Sequence, residues 1–295
     1  MWWSRDKGSL DERISRRKLQ RVADRIKGSV RECIRFESEI ARNEDNIPVG
    51  ATKIGGRADL PASTPWPGGD PTPMTFIALI DTSKLPPFNG RADLPADTLL
   101  SFFFDLGTSP RGYHPKDRSG WQVLATPLGT PLVRRGEGIA SVYTPCVLKP
   151  WKDLSLPDPA SDEVGAWGLD SREDDAYIGL WKGLMPAHAE DGENHQLLGY
   201  ASTIEGDLHI LCELASTGIY WRTVGPKVYE PEMEPLRNAA TEWRLLLQID
   251  SDKRADFRML NAGRLYFYIR DRALKAGAFD EAWAVVQTRG ASNLP

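Results

Sequence analysis

The stretch Thr52–Pro67, TKIGGRADLPASTPWP, decides how this chain is organised. It starts apolar and β-prone at Ile54, breaks at Gly55-Gly56 and ends in Leu60-Pro61 and Trp66-Pro67. Adjacent glycines permit positive φ or a close backbone approach, and each proline holds its predecessor extended. A helix is excluded. Leu60 and Trp66 become apolar anchors on a stiff ribbon that feeds the following segment, PMTFIALID at 73–81. The stretch contains no nucleophile pair, metal cluster or phosphate loop, so it is a structural clamp.

Working outward, the apolar run Thr75–Ile80 predicts a strand buried on both faces, and TLLSFFFDL at 98–106 predicts its partner. Segments 121–126 and 139–148 predict two more strands. The second half carries HQLLGY at 195–200, DLHILCEL at 207–214, WRLLLQIDSD at 243–252 and RLYFYI at 264–269, all expected as strands or strand entries. The strand ending in Ile249-Asp250-Ser251 aligns with the one ending in Ile80-Asp81-Thr82, and RLYFYI aligns with LLSFFF. Gly199 then repeats the part of Gly55-Gly56, and Gly263 opens the last aromatic strand. The expected fold is α+β and β-rich, with internally duplicated antiparallel or mixed sheets, short peripheral helices and a long N-terminal helix. The halves span about 47–150 and 195–290, joined by an acidic, loop-rich insert with a short helix near 176–185. Further short helices are expected at 271–276 and 279–287.

The N-terminal helix is inferred from a stripe through Leu10, Ile14, Leu19, Val22, Ile26, Val30, Ile34 and Ile40. Ser9 and Glu12 form a capping box at its start. Residues 1–46 would be a basic helical arm on a domain spanning 47–294. The first 35 residues hold 11 Lys and Arg against 5 Asp and Glu, a net +6, while the whole chain carries −4. A basic arm therefore sits on an acidic body. It would bind nucleic acid, assemble copies of the chain through the helix, or pack on the chain's own acidic surface; lacking aromatic interleaving, nucleic acid is the weaker reading.

At 295 residues with 41% hydrophobic content, the chain has ample core, and its apolar runs are too short to span a bilayer. The start, MWWSRDKGSLDER, lacks the apolar core of a signal peptide, and three scattered cysteines (Cys33, Cys146, Cys212) make no disulfide framework. A cytoplasmic protein without a membrane partner is expected. His114, His188, His195 and His209 show no metal-ligand spacing, so no metal or cofactor is expected. Asp81 and Asp250 end aligned strands. They would be either an acid–base pair facing one cleft or ordinary turn acceptors, and the second reading is preferred.

KIGGRADLP…WP, PMTFIALIDTSKLP and LPADTLLSFFFD, followed by HQLLGYASTIEGD, WRLLLQIDSD, AGRLYFYI and FDEAWAVVQTRG, resemble the ordered blocks of the YwqG-like family, a bacterial family of unknown biochemical function. The resemblance covers about 48–290. This chain departs from the family pattern at Leu79, Ala201, Glu205 and Met259-Leu260-Asn261. The resemblance implies a β-rich α+β fold, and the family's frequent position beside polymorphic toxin genes implies an immunity role. The functional expectation is a non-catalytic module that binds a toxin with a basic active-site face. Its contact surface is expected on the acidic and aromatic insert: Asp158, Asp162, Glu163, Trp167, Asp170, Glu173, Asp174, Asp175 and Trp181. The alternatives are an enzyme using Asp81 and Asp250 in a cleft between the halves, and an adaptor working through the basic arm.

Overall fold

The computed structural model describes residues 8–68, 73–136, 143–186, 193–206, 208–259 and 263–288. The first half supplies strands β1 Arg31–Ile40, β2 Lys53–Ile54, β3 Ala58–Leu60, β4 Thr75–Asp81, β5 Thr98–Phe104, β6 Trp121–Pro127 and β7 Val133–Arg135. The rest supplies β8 Cys146–Ser155, β9 His195–Leu197, β10 Trp243–Asp250, β11 Arg264–Arg270 and β12 Trp283–Gln287. Ten of them form one sheet in the order β12-β11-β10-β9-β1-β8-β2-β4-β5-β6, while β3 and β7 pair separately. The longest ladder, β1 with β8, runs antiparallel from Arg31↔Ser155 to Ile40↔Cys146 and forms the middle of the sheet.

The sheet is mixed with helices, mostly antiparallel and nearly barrel-shaped, because its two edge strands curl towards each other. The Trp121 indole N–H of β6 donates to Ala282 O at 2.9 Å, and Trp283 of β12 donates to Gly112 O at 2.8 Å. Their rings meet edge-on, with centroids 4.9 Å apart. Strand β4 is buried at all seven positions, as its unbroken apolar run requires.

The clamp behaves as its sequence dictates. Gly55 and Gly56 have φ of +68° and +69°, and a Cβ on Gly56 would lie 2.3 Å from Glu44 Oε1. Trp66 anchors the ribbon through an N–H bond to Met74 O (2.9 Å) and an edge-on contact with Phe103. Pro61 follows β3, and Pro67 O accepts from Met74 N, so the ribbon folds back directly onto the entry to β4.

Four elements differ from expectation. The long helix over Leu10–Asn43 is instead α1 Leu10–Arg16, a 3-10 turn, α2 Ala23–Ser29 and strand β1. Lys18 at φ +58° breaks the helix, and from Arg31 onward the chain is paired by β8, with Cys33–Phe36 buried in succession. The Asn46 boundary thus falls between β1 and β2, which belong to one sheet. The insert holds more regular structure than expected: β8 runs into it as far as Ser155, followed by α3 Asp162–Gly165 and α4 Ser171–Leu184. DLHILCEL is helical, as α5 His209–Ser216, so His209 and Cys212 are helix residues. Segment 279–287 is a 3-10 turn followed by β12. Helices α6 Trp221–Val224, α7 Glu234–Ala240 and α8 Asp271–Ala276 complete the periphery. The strand expected at 139–148 begins outside the described residues; β8 starts at Cys146.

The basic segment and the acidic insert pack on each other. Ile14, Leu19, Val22 and Ile26 form a second core with Leu156, Val164, Trp167, Tyr177, Leu180 and Leu184. Around it, Arg21 pairs with Glu173, Arg17 donates to Gly179 O, and Arg25 donates to Ala166 O. Among the described residues, no helix is long and apolar enough to cross a membrane.

Candidate functional site

A cavity of about 400 Å³ opens where the insert, the segment after β9 and helices α5–α7 meet. Its walls include Tyr200, Trp221, Tyr229, Trp243 and Tyr268, with Ile210 and Ala240 between them. Asp158, Asp162, Glu163 and Glu205 supply carboxylates, and Arg31 and Arg237 supply cations. Tyr229 is 59% exposed, so the rim presents a large aromatic to solvent.

The floor is the irregular segment 198–206, and four neighbouring strands hold it by buried polar side chains. From β9, Gln196 Nε2 donates to Leu198 O (2.7 Å) and Tyr200 O (2.8 Å). From β10, Gln248 Oε1 accepts from Ser202 N at 2.9 Å. On β11, Arg264 and Tyr266 both donate to Ser202 O. Gln287 of β12 accepts from Ile204 N (2.8 Å) and donates to Glu205 O (2.8 Å). Gln196, Gln248 and Gln287 are fully buried, which is tolerable only because each is hydrogen-bonded. The segment also stores unusual backbone: Leu198 sits at φ +55° and Gly199 at +72°. A Cβ on Gly199 would lie 2.4 Å from Ser155 Oγ, which accepts the Tyr200 N–H.

A second buried network supports the first. Arg35 in β1 donates to Asp153 (3.2 Å), Asn194 (2.5 Å) and Gln196 (2.7 Å), so the central strand fixes the glutamine that holds the floor. His195 Nε2 lies 3.0 Å from Asp252 Oδ2, both fully enclosed, and His195 Nδ1 accepts from Asp250 N. Burial would raise the Asp252 carboxyl, but His195, Ser38 and the Arg254 N–H outweigh it and hold it at about 2. Burial pushes the Cys146 thiol up to about 12, so it is an inert core thiol.

In β2, Lys53 is fully buried between Asp59 (3.2 Å), Glu44 (3.4 Å) and Arg57 O (2.6 Å). Burial lowers the Lys53 ammonium pKa despite those partners. Burial opposes the Asp59 charge too, yet Arg134 and Lys53 keep its carboxyl below the usual range.

The residues singled out from the sequence separate into three groups. Asp158, Asp162 and Glu163 stand at the cavity; Thr203 donates to Asp158, and Tyr200 donates to Glu163 at 3.1 Å. Asp170 instead caps α4, accepting from Arg172 N and Glu173 N, and Glu173 pairs with Arg21. The Arg21 hydrogen bond holds the Glu173 carboxyl at about 2. Asp174 and Asp175 lie on α4 away from the cavity lining. Trp167 is 6% exposed inside the second core, edge-on to Tyr177, and Trp181 is half-buried against that core. Asp81 accepts from Ser83 N and Oγ, a turn role, whereas Asp250 pairs with Arg264 at 2.6 Å. They do not share a cleft; Asp81 borders a separate small hollow beside Gly50 and Leu128. Gly263 donates to Met259 O and leads into β11. Trp2, Trp3, His188 and the Leu260-Asn261 departure lie outside the described residues. Among the described residues, no group of three or more His, Cys, Asp or Glu is arranged to hold a metal.

The aromatic walls and the buried glutamines were missed in the sequence. The available signal was polar residues inside otherwise apolar strands: Gln196 in HQLL, Gln248 in LLLQID and Gln287 in AVVQ.

Sheet and cavity define a mixed α/β protein built on one large, nearly barrel-shaped sheet with a hollow over segment 198–206. The chain belongs to the family described as Domain of unknown function (DUF1963), whose model matches residues 52–288. Strand β1 precedes the matched region yet lies at the middle of the sheet. No curated protein matches the chain.

Proposed function

We propose that this protein is a non-catalytic, cytoplasmic protein-binding module whose contact surface is the cavity over segment 198–206 and its acidic rim. The carrying observation is the floor: the irregular backbone of segment 198–206, held by side chains from four consecutive strands. Fixing backbone at that cost suits a site whose geometry must exist before the partner arrives. The exposed Tyr229 and half-buried Trp221 are the aromatic types that dominate binding hot spots. The resemblance to the YwqG-like family then makes the partner a cognate bacterial toxin, occluded by direct binding.

The test is co-expression with a toxin encoded beside this chain. Protection and co-purification are expected, and both should fall with Trp221→Ala and Tyr229→Ala. A toxin that kills regardless and leaves no complex would sink the reading. An enzyme working through Asp81 and Asp250 is disfavoured, since the two carboxylates serve separate turns and partners.

We also infer that the two halves, about 47–150 and 195–290, descend from a duplicated unit. The pairing irregularities fall at Phe76/Ala78 and Leu245/Leu247, matching positions 169 residues apart. Lys53 Nζ donates to the carbonyl four residues on (Arg57 O), and Gln196 Nε2 does the same to Tyr200 O.

A further inference from the structure

This inference rests on the cavity being the contact surface, and it concerns what enters. Aromatic walls backed by carboxylates attract a cation that carries an apolar stem. Of the two cations lining the cavity, Arg237 is spent internally, donating to Val228 O (2.6 Å) and Glu230 O (2.9 Å). Arg31 is different. Its guanidinium lies 4.2 Å above the Tyr200 ring centroid and makes no hydrogen bond or close ion pair with the described residues. The same Tyr200 hydroxyl donates to Glu163 at 3.1 Å, so ring face and carboxylate form one cation-attracting surface. The carboxylates of Asp162 and Glu205 likewise accept no hydrogen bond and form no close ion pair among the described residues. Among the described residues, four carboxylates thus face two guanidinium groups, one already committed and one only stacked.

We propose that the cavity receives an arginine side chain of a protein partner, and that Arg31 is an internal place-holder on Tyr200 that the incoming guanidinium displaces. A planar guanidinium can stack on a ring and donate to a carboxylate with two parallel N–H groups, which an ammonium cannot do. The partner segment therefore presents an arginine from a basic surface, its methylene stem running along Ile210 and Ala240. Once Arg31 swings out, its charge remains at the rim and disfavours a second cation, so the site takes one arginine.

The test titrates the full chain with N-acetyl-arginine amide, using N-acetyl-citrulline amide as the neutral isostere and inorganic phosphate as an anion control. Calorimetry or chemical-shift mapping should show saturable one-to-one binding of the arginine probe, with citrulline at least about tenfold weaker. Glu163→Gln should weaken the arginine probe about fivefold or more, an effect of the size expected for a charge-assisted hydrogen bond. Arg31→Gln, which keeps the length but removes the charge, should tighten it several-fold. A thermal melt of each variant separates a folding defect from a binding one, and Asp162→Asn serves as a second rim variant should Glu163→Gln unfold. Equal binding of citrulline, no response to Arg31→Gln, preferential binding of phosphate, or no saturation by about 50 mM, well above a ~1 mM contact, would each overturn the proposal. The two readings can fail separately. A toxin complex that survives Arg31→Gln and Glu163→Gln but is lost with Trp221→Ala keeps the contact surface and removes the arginine. A complex indifferent to Trp221→Ala removes the surface itself.

Discussion

At Gly199, a single missing Cβ makes room for the bond that starts the cavity floor. The residue needs φ of +72° and leaves no space between Ser155 Oγ and Cys33 Cβ. Gly199→Ala is therefore expected to cost upward of ~2 kcal/mol, from left-handed strain plus overpacking, read as a lower urea midpoint at unchanged slope. An unchanged midpoint would mean the floor relaxes freely. Asp252 makes a residue-scale prediction of another kind. Its folded pKa of about 2 lies below the ordinary 3.8, so its contribution is complete above the unfolded value and disappears as pH falls through the folded one. That amounts to roughly 2 kcal/mol lost between about pH 4 and pH 2. Urea melts at stepped pH should show this acid limb, and Asp252→Asn should be less stable near neutrality with a flatter limb. Parallel limbs in the two proteins would assign the acid sensitivity elsewhere.

The N-terminal segment shows how elements were legible and where they were not. TFIALID and LLSFFF declared themselves as strands because buried β-branched and aromatic runs of that length have few other uses. The clamp was equally readable, since paired glycines and X-Pro bonds restrict the backbone locally. Leu10–Ile40 was not: spacings of three to five residues continue smoothly from real helix into RECIRFESEI, whose β identity comes from pairing with β8, more than 100 residues away. DLHILCEL and AWAVVQ were ambiguous for the same reason, short apolar runs that tertiary packing assigns. The cavity was half legible. Three of its carboxylates, Asp158, Asp162 and Glu163, lie close together in sequence, but its walls come from segments up to 237 residues apart, from Arg31 to Tyr268. The N-terminal segment is therefore a structural part and not an appendage. Ile26→Ala, at a fully buried site against the insert, should cost about 3 kcal/mol. Removal of residues 1–46 should abolish cooperative unfolding, because it strips β1 from the middle of the sheet. A truncated chain melting cooperatively near the intact one's temperature would contradict this.

At the scale of the whole molecule, the curl of the sheet ties a distant seam to the cavity. Edge strand β12 is covered by the loop before β6: Val286 N donates to Arg111 O, and the Tyr113 hydroxyl contacts Val286 O at 3.4 Å. Covering an edge in this way removes a template for aggregation. The next residue, Gln287, holds Ile204 and Glu205 on the cavity floor. Closure of the seam and order at the floor therefore meet in one strand. Trp283→Phe keeps the apolar ring but loses the N–H bond to Gly112 O, and should cost about 1 kcal/mol. Hydrogen exchange is the discriminating measurement, since it resolves local opening from global unfolding. The Val286 amide should exchange faster in the variant, and the Ile204 amide should follow it, while amides in the β1–β8 ladder change only by the global loss. If Val286 opens and Ile204 keeps its full protection, seam and cavity are independent, and the floor is held by β9, β10 and β11 alone. If both open together, closure of the sheet is what keeps the cavity formed in the absence of a partner, and weakening the seam should weaken binding without touching a lining residue.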